Sequence, residues 1–215
     1  MKKIRNLSKL ALALGFAVTA STAYAAEGDA KAGAAAAGMC VACHQADGSG
    51  MNIPGGESWP RLGGLDASYL YKQMQDIKAG TRQSPTMLPF INMLNDQQMK
   101  DVSAYYSQMS ATPAKGGENA TEQQLAHGQK LAEQGDWDRY IVPCKACHGP
   151  DNQGVGASFP GIAGQHAGYI ADQLHKWQKG TRDNDPLHLM AAIAERLNDQ
   201  DIQAVSAWLS RQPAQ

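Results

Sequence analysis

The 215-residue chain has few aromatic residues, few charges and only four cysteines. With 19 Lys+Arg against 20 Asp+Glu, it lacks the basic excess typical of nucleic-acid-binding domains. Four cysteines in a chain of this length are too sparse for a small disulfide-stapled scaffold. Runs of alternating β-branched residues are missing, which argues against sheets. With 43% apolar residues, the composition excludes a disordered chain.

The first 25 residues show the three parts of a secretory signal. Four basic residues and no acidic one precede the apolar run Leu10–Ala20, and Ala23-Tyr24-Ala25 has the small-x-small form of a cleavage site. The run is too short to span a bilayer, which takes about 20 residues. We predict a signal peptide over 1–25, a mature chain with 15 basic and 20 acidic residues, and, in a Gram-negative host, a periplasmic location.

The rest of the chain contains one pattern twice. Residues 40–44, CVACH, recur 104 positions later as CKACH. The triplet GTR at 80–82 recurs 100 positions later, and LNDQ at 94–97 recurs 103 positions later. Matches in the same order at nearly one offset indicate two homologous units, each much longer than the repeats of solenoid proteins.

A polar segment lies between the two copies. Residues 110–121, SATPAKGGENAT, contain a proline and paired glycines, which are typical of a linker. We therefore predict an N-terminal domain over 26–109 and a C-terminal domain over 122–215.

Each copy has the pattern of a helical domain. Apolar residues recur at helical spacing before Gly80 and Gly180, and again after Asn95 and Asn198. N-capping side chains and terminal glycines bound these segments. Alanine-rich stretches predict one further helix before each Cys pair. The predicted fold class is all-α, with two tandem domains related by internal repeat.

The two Cys-x-x-Cys-His motifs carry the chemistry. The spacing is typical of c-type haem attachment, in which both sulfurs form thioethers with the haem vinyl groups and the histidine binds the iron. The residues involved are Cys40, Cys43 and His44 in the first copy and Cys144, Cys147 and His148 in the second. A zinc site built from all four cysteines would leave both histidines unexplained. A thioredoxin-type disulfide belongs with a βαβ pattern, which is missing here.

A methionine at matching positions is the candidate sixth ligand. Met190 and Met87 each precede a matching aspartate by nine residues and follow the motif histidine by 42 and 43 residues. Thioether sulfur suits an iron that cycles between oxidation states. The first copy has alternatives in Met51, Met74, Met93, Met99 and Met109, and the second has His188.

Other residues receive weaker interpretations. The carbonyls of Pro60 and Pro160 are candidates to accept the motif-histidine Nδ1–H, and a plain turn role is an equal alternative. His127, His166 and His175 have no partners in the other copy and are interpreted as surface or supporting groups, with a haem propionate as an alternative contact for His166. The segment 135–142, GDWDRYIV, is an insert that we expect to alter the second haem's rim or its partner contacts.

These motifs resemble those of dihaem class I cytochromes c, specifically the cytochrome c4 family. The resemblance covers the whole mature chain and rests on both Cys-x-x-Cys-His motifs, the stretch Phe159–His166, and the Gln-x6-Gly-x-Arg segments 73–82 and 173–182. It implies two cytochrome folds packed about a pseudo-twofold axis, two covalent haem c groups, and electron transfer without catalysis. It also implies redox protein partners: a cytochrome bc complex or a dehydrogenase as donor and a terminal oxidase as acceptor.

Two enzyme-linked functions remain as alternatives. The cytochrome subunit of a flavocytochrome c sulfide dehydrogenase also has two c-type domains. A dihaem peroxidase needs an iron with an open sixth position, which methionines in both copies argue against. The mildly acidic surface predicts partners with basic patches and association that weakens with salt. The mature chain has no second long apolar run, so we expect no transmembrane segment, and membrane association would be peripheral.

Overall fold

The computed structural model describes residues 28–214, so the predicted signal peptide at 1–25 lies outside the described residues. Within this range, regular structure is helical, and extended segments meet only as isolated bridges. The predicted all-α class is therefore confirmed. None of the helices between residues 28 and 214 is long and apolar enough to cross a membrane.

The two copies of the sequence repeat have the same series of α-helices. In the first copy they are α1 (Ala30–Ala36), α2 (Val41–His44), α3 (Ala67–Ala79), α4 (Leu88–Asn92) and α5 (Asp96–Ser107). In the second copy they are α6 (Glu122–Glu133), α7 (Lys145–His148), α8 (Ala167–Gln178), α9 (Leu189–Ala194) and α10 (Asp199–Ser210). Each domain is thus a bundle of three longer helices and two short ones.

Capping residues set the ends of the longer helices where the sequence predicts them. Asp66 caps α3 by accepting a hydrogen bond from the Tyr69 amide at 3.0 Å, and Gly80 ends the helix at φ 79°. Asn95 and Asn198 start α5 and α10, each in a reciprocal capping box. These caps satisfy amides that a helix leaves without partners at its start.

Glycine allows the first and last helices of each domain to cross closely. A Cβ at Gly33 in α1 would lie 2.0 Å from the Asp101 carbonyl oxygen in α5. A Cβ at Gly128 in α6 would lie 2.2 Å from the Ala204 carbonyl oxygen in α10. The side chain of any other residue at either position would collide with the backbone of the facing helix. These glycines therefore set the distance between the first and last helices in both domains.

The apolar core of each domain borders the helices that flank the Cys motifs. The second domain has one buried cluster that includes Leu131, Ile170 and Ile202. In the first domain the buried residues form two clusters, one around Tyr106 and one around Ile91, and Met74 packs against both. The longer helices thus enclose the two Cys-bearing turns.

The two domains contact each other through buried hydrogen bonds. The Arg61 amide donates to the Gln165 side-chain oxygen at 2.8 Å, and the Gln165 amide nitrogen donates to the Arg61 carbonyl at 3.0 Å. The Arg61 guanidinium donates to the carbonyls of Gly164, at 2.9 Å, and of Gly63 and Ala163. Arg61 is only 2% exposed, so this contact is a fixed part of the fold.

His166 lies in the same interface. Its Nε2 donates to the Ser49 carbonyl at 2.8 Å, and its Nδ1 accepts from the Lys115 amide at 3.0 Å. Burial lowers the pKa of His166, which favours the neutral ring that this pattern requires. The expectation of a surface group or a propionate contact is therefore wrong, because both ring nitrogens bind backbone groups across the interface.

Candidate functional site

A cavity of about 500 Å³ runs along both domains. This volume lies within the range of about 300–1,000 Å³ usual for ligand sites. All eight predicted haem-binding residues line it: Cys40, Cys43, His44 and Met87 of the first domain, and Cys144, Cys147, His148 and Met190 of the second. The structure thus brings both predicted sets to one apolar space.

Each Cys motif forms one tight helical turn. The His44 amide donates to the Cys40 carbonyl at 2.9 Å, and the His148 amide donates to the Cys144 carbonyl at the same distance. Residues three and four apart lie on one side of a helix, so the turn presents both cysteines and the histidine together. Burial raises the pKa of the Cys144 thiol to about 11 and also raises that of Cys40.

The motif histidines are held by backbone carbonyls. His44 Nδ1 lies 2.9 Å from the Pro60 oxygen, and His148 Nδ1 lies 2.7 Å from the Pro160 oxygen. Because a carbonyl only accepts, the Nδ1 atoms carry the proton and the Nε2 atoms are left with a lone pair. Burial lowers the pKa of both rings, which favours this neutral form. The carbonyl-contact interpretation of the two prolines is confirmed.

The two predicted methionine ligands lie at equivalent places in the two domains, but their backbone amides donate to different kinds of acceptor. Met87 directly precedes α4, and its amide donates to the Ser84 carbonyl at 3.1 Å. Met190 lies in the first turn of α9, and its amide donates to the Asp185 carboxylate at 2.6 Å. Both side chains are partly buried and face the cavity.

Most of the alternative ligands lie elsewhere. Met51 and Met93 are 42% and 60% exposed, Met99 is buried in the core, and Met109 packs against the cluster around Tyr106. The side chain of His188 is 72% exposed and bonds Asp183 at 2.8 Å, outside the cavity. Of the alternatives named from the sequence, only Met74 also lines the cavity, where it fills space between two core clusters.

The 135–142 insert is a braced loop at the rim of the second site. The backbones of Asp136 and Ile141 pair across it, and Arg139 binds Asp136 at 2.7 Å and Asp201 at 2.8 Å. Trp137 and Tyr140 are 66% and 78% exposed, while Ile141 is buried and lines the cavity. The insert therefore forms part of the cavity wall with Ile141 and exposes two aromatic rings, Trp137 and Tyr140, on its outer surface.

Polar atoms along the cavity match the requirements of haem. Among the described residues, the Trp177 Nε1–H is buried without a hydrogen-bond partner, and Trp177 lines the cavity. Unpartnered buried polar atoms are rare in a complete site. An apolar cavity with thiols, neutral imidazoles and thioethers, and with an unpaired donor, fits a porphyrin with carboxylate arms.

Two matched helical domains, each with a haem-attachment turn and a carbonyl-held histidine, define a c-type cytochrome with two haem sites. The cytochrome c family matches residues 30–110 and 125–212. The chain belongs to this family, and within it to the dihaem electron carriers similar to cytochrome c4. It is an electron-transfer protein with two covalently bound haem c groups, not an enzyme.

Three relatives illustrate the likeness. The chain is 43% identical to the thiosulfate dehydrogenase electron acceptor of Stutzerimonas stutzeri, over 81% of this chain and 79% of that one. It is 35% identical to reduced cytochrome c4 from Pseudomonas stutzeri, with a TM-score of 0.76 over 86% of this chain and 100% of that one. A thiosulfate dehydrogenase from Marichromatium purpuratum matches with 35% identity and a TM-score of 0.78, over 86% of this chain but only 40% of that one.

Interdomain residues were the main group that sequence reasoning missed. Arg61 and Gln165 occupy positions where the other copy has Gly161 and Leu65, so the repeat itself gave no signal for them. The paired Arg82 and Arg182 did carry a signal. They recur in identical Gly-Thr-Arg triplets 100 positions apart.

Proposed function

We propose that the chain binds one haem c in each domain through the eight residues named from the sequence. Cys40 and Cys43, and Cys144 and Cys147, supply the thioether sulfurs. His44 and Met87 are the axial ligands of the first iron, and His148 and Met190 those of the second. The observation that carries this proposal is that both complete sets line one cavity.

The residues around each iron favour electron transfer over catalysis. When bound, the haem iron supplies a one-electron Fe(III)/Fe(II) couple. Two protein ligands on each iron leave no position for a substrate, and the buried ligand atoms need little movement when the charge changes. The Pro60 and Pro160 carbonyls hold the histidine rings in orientation and raise their basicity.

The names of the relatives support one route for the electrons. We propose that this chain accepts electrons from a thiosulfate dehydrogenase in the periplasm and passes them into a respiratory chain. Support comes from the 43% identity to a thiosulfate dehydrogenase electron acceptor and from the signal-like first 25 residues. A cytochrome bc complex as donor is the second candidate, which the resemblance to the cytochrome c4 family implies.

Two measurements test this proposal. The first is the visible spectrum of the reduced protein with and without carbon monoxide: two c-type haems with bands that carbon monoxide leaves unchanged are expected, and a shifted band would disprove closed ligation. The second mixes oxidised protein with a purified thiosulfate dehydrogenase and thiosulfate. Rapid reduction of both haems supports the first route, and reduction only by a bc complex supports the second.

The surface charge gives an independent check. Six basic and eight acidic residues lie in 27–112, and eight basic and eleven acidic residues lie in 121–215. An acidic carrier attracts partners with basic patches, and salt screens that attraction over a Debye length of about 8–10 Å. We expect the bimolecular reduction rate to fall as ionic strength rises. A rate independent of salt would show that apolar contacts alone guide docking.

A further inference from the structure

The insert at residues 135–142 has no counterpart in the first domain. In the first domain α1 ends at Ala36, and the chain reaches Cys40 after three residues. In the second domain the insert separates the end of α6 at Glu133 from Cys144, and its inner residue Ile141 lines the cavity beside that cysteine. A surface formed by the insert therefore lies next to the second site and can distinguish the two sites for a partner.

The outer side of the insert exposes three side chains. Trp137 and Tyr140 are 66% and 78% exposed, and Asp138 between them is also exposed. Among the described residues, the ring–ring and cation–ring contacts include neither Trp137 nor Tyr140. Tryptophan is highly buried on average in folded proteins, so packing within the fold does not explain these rings. We call Trp137, Asp138 and Tyr140 the aromatic patch.

The backbone beneath the aromatic patch is held in one conformation. The Asp136 amide donates to the Ile141 carbonyl at 2.8 Å, and the Ile141 amide donates to the Asp136 carbonyl at 2.9 Å. Arg139 binds the Asp136 carboxylate at 2.7 Å and the buried Asp201 of α10 at 2.8 Å. A loop fixed in this way loses little conformational freedom when a partner binds, which favours affinity.

Tyr140 occupies a strained backbone position. Its φ of 57° and ψ of 34° lie in the left-handed region, and its amide donates to the Trp137 carbonyl at 3.1 Å. Bulky residues rarely adopt this conformation, which glycine adopts at no steric cost. Residues held in such conformations cluster at functional sites. Since the Tyr140 ring is exposed, its use is expected at the surface.

The charge of the insert indicates the kind of partner. Arg139 is shared by the carboxylates of Asp136 and Asp201, whereas Asp138 takes part in none of the ion pairs within residues 28–214. The faces of tryptophan and tyrosine rings also attract cations. The aromatic patch thus fits a protein surface that presents a lysine or arginine among apolar residues.

We propose that the aromatic patch is the surface on which the electron-donating dehydrogenase docks, beside the second haem site. This proposal rests on the thiosulfate dehydrogenase route proposed above. A basic side chain of the dehydrogenase contacts the two rings and Asp138, and apolar neighbours cover the rest of the rings. Tryptophan and tyrosine are among the residues that most often dominate binding energy at interfaces. Redox complexes have small interfaces, so two such rings account for much of the binding.

The test is thiosulfate oxidation by a purified thiosulfate dehydrogenase, with this holoprotein as the sole electron acceptor. Trp137→Ala and Tyr140→Ala are each expected to raise the KM for the carrier about tenfold and to change kcat by less than about twofold, because each removes contact area and no iron ligand. Asp138→Asn is expected to raise KM about threefold and to weaken its dependence on salt. Unchanged KM values in both aromatic variants would overturn the docking surface.

Matched variants separate docking from damage to the protein. Met93→Ala removes a side chain that is 60% exposed in the first domain, and it should change KM by less than about twofold. Tyr140→Phe keeps the ring and should behave like the unaltered protein. Ascorbate, a small reductant that needs no docking surface, should reduce all variants at the same rate. A KM raised equally in Met93→Ala would refute the assignment to the insert.

The route and the docking surface fail in different ways. An unaltered protein that ascorbate reduces and thiosulfate dehydrogenase does not would refute the route, and this partner with it. Equal reduction of the unaltered protein and of both aromatic variants by the dehydrogenase would leave the route intact and refute the docking surface. Analytical ultracentrifugation tests the other occupant. A dimer that becomes a monomer in Trp137→Ala would show that the aromatic patch binds a second copy of the chain, which would overturn the proposal.

Discussion

Where the first domain has Ile77, the second has Trp177, and where the first has Tyr106, the second has Leu209. Tyr106 is buried beside Cys40, which together with the burial raises its pKa, whereas Trp177 lies under the Arg182 guanidinium. The capping glutamine Gln98 of α5 is replaced by Asp201 in α10. The eight residues proposed to bind the haems are of the same types in both domains, whereas other residues that line the cavity have diverged. Two copies of one fold can thus hold the same cofactor in different electrostatic surroundings.

The largest expected effect comes from removing a methionine at either site. Met87→Ala and Met190→Ala should each open one iron to carbon monoxide and lower one potential by a sizeable part of the about 0.8 V range that axial ligands span. Spectra with carbon monoxide and a redox titration measure both. The exposed Met93→Ala serves as control. A closed, unshifted haem in Met87→Ala would point to Met74, which also lines the cavity.

Substituting the glycine at which the first and last helices cross should lower the stability of both domains by similar amounts. Gly33→Ala and Gly128→Ala place a methyl group against a carbonyl oxygen of the facing helix, and overpacking of this kind costs about 1–3 kcal/mol. Chemical unfolding of the holoprotein measures the loss of stability. Gly38→Ala is the matched control, because a Cβ there meets no atom within 4 Å. A loss in only one domain would show that the two frames are not equivalent.

Acid should distinguish the domains through Asp201. Arg139, the Asn198 amide and His127 stabilise this buried carboxylate and lower its pKa despite the opposing effect of burial. A pKa lowered in the folded state gives stability that is present above the ordinary value of about 3.9 and is lost as the pH falls through the lowered pKa. Gln98 at the equivalent position does not titrate.

Hydrogen exchange along α10 and α5 between pH 6 and pH 3 measures this difference. We expect α10 to lose protection first, and Asp201→Asn to remove about 2 kcal/mol already at neutral pH. The exposed Asp199→Asn in the same helix turn should have little effect. Equal acid sensitivity of both helices would contradict the assignment to Asp201.

The smallest effect is expected on the outside of the insert. Trp137→Ala and Tyr140→Ala remove rings that are mostly exposed, so unfolding free energy should change by no more than about 0.5 kcal/mol. Arg139→Ala in the same loop removes both ion pairs and should cost more. Thermal unfolding of the three variants ranks them. A large loss for Trp137→Ala would mean that its ring supports the fold.

Much of this molecule follows from local rules in the sequence. The caps at Asp66, Asn95 and Asn198 and the apolar stripes behind them gave the main helices, because these signals act within one or two turns. The carbonyl contacts of Pro60 and Pro160 were one of two equal interpretations, and the structure decided between them. The short α4 and α9 carried too few residues for a periodic signal.

The contacts between domains could not be predicted in this way. His166 binds Ser49 over 117 positions, and Arg61 binds Gln165 over 104. No local pattern marks residues whose partners come from another folding unit. Gln73 and Arg82 were visible only as a repeated spacing, and their role depends on how the two copies meet.

The Arg61–Gln165 contact has an evolutionary consequence. Arg82 and Gln73 of the first domain bond Gln173 and Arg182 of the second, and both residue types stand at equivalent positions in the two copies. Two identical ancestral domains could therefore have formed that part of the interface as a symmetric pair. Arg61 and Gln165 break this symmetry, since Gly161 and Leu65 stand at the equivalent positions. Two copies of either half alone cannot make that bond. The duplicated halves have therefore become mutually dependent. A dimer of two first domains would lack Gln165, and a dimer of two second domains would lack Arg61.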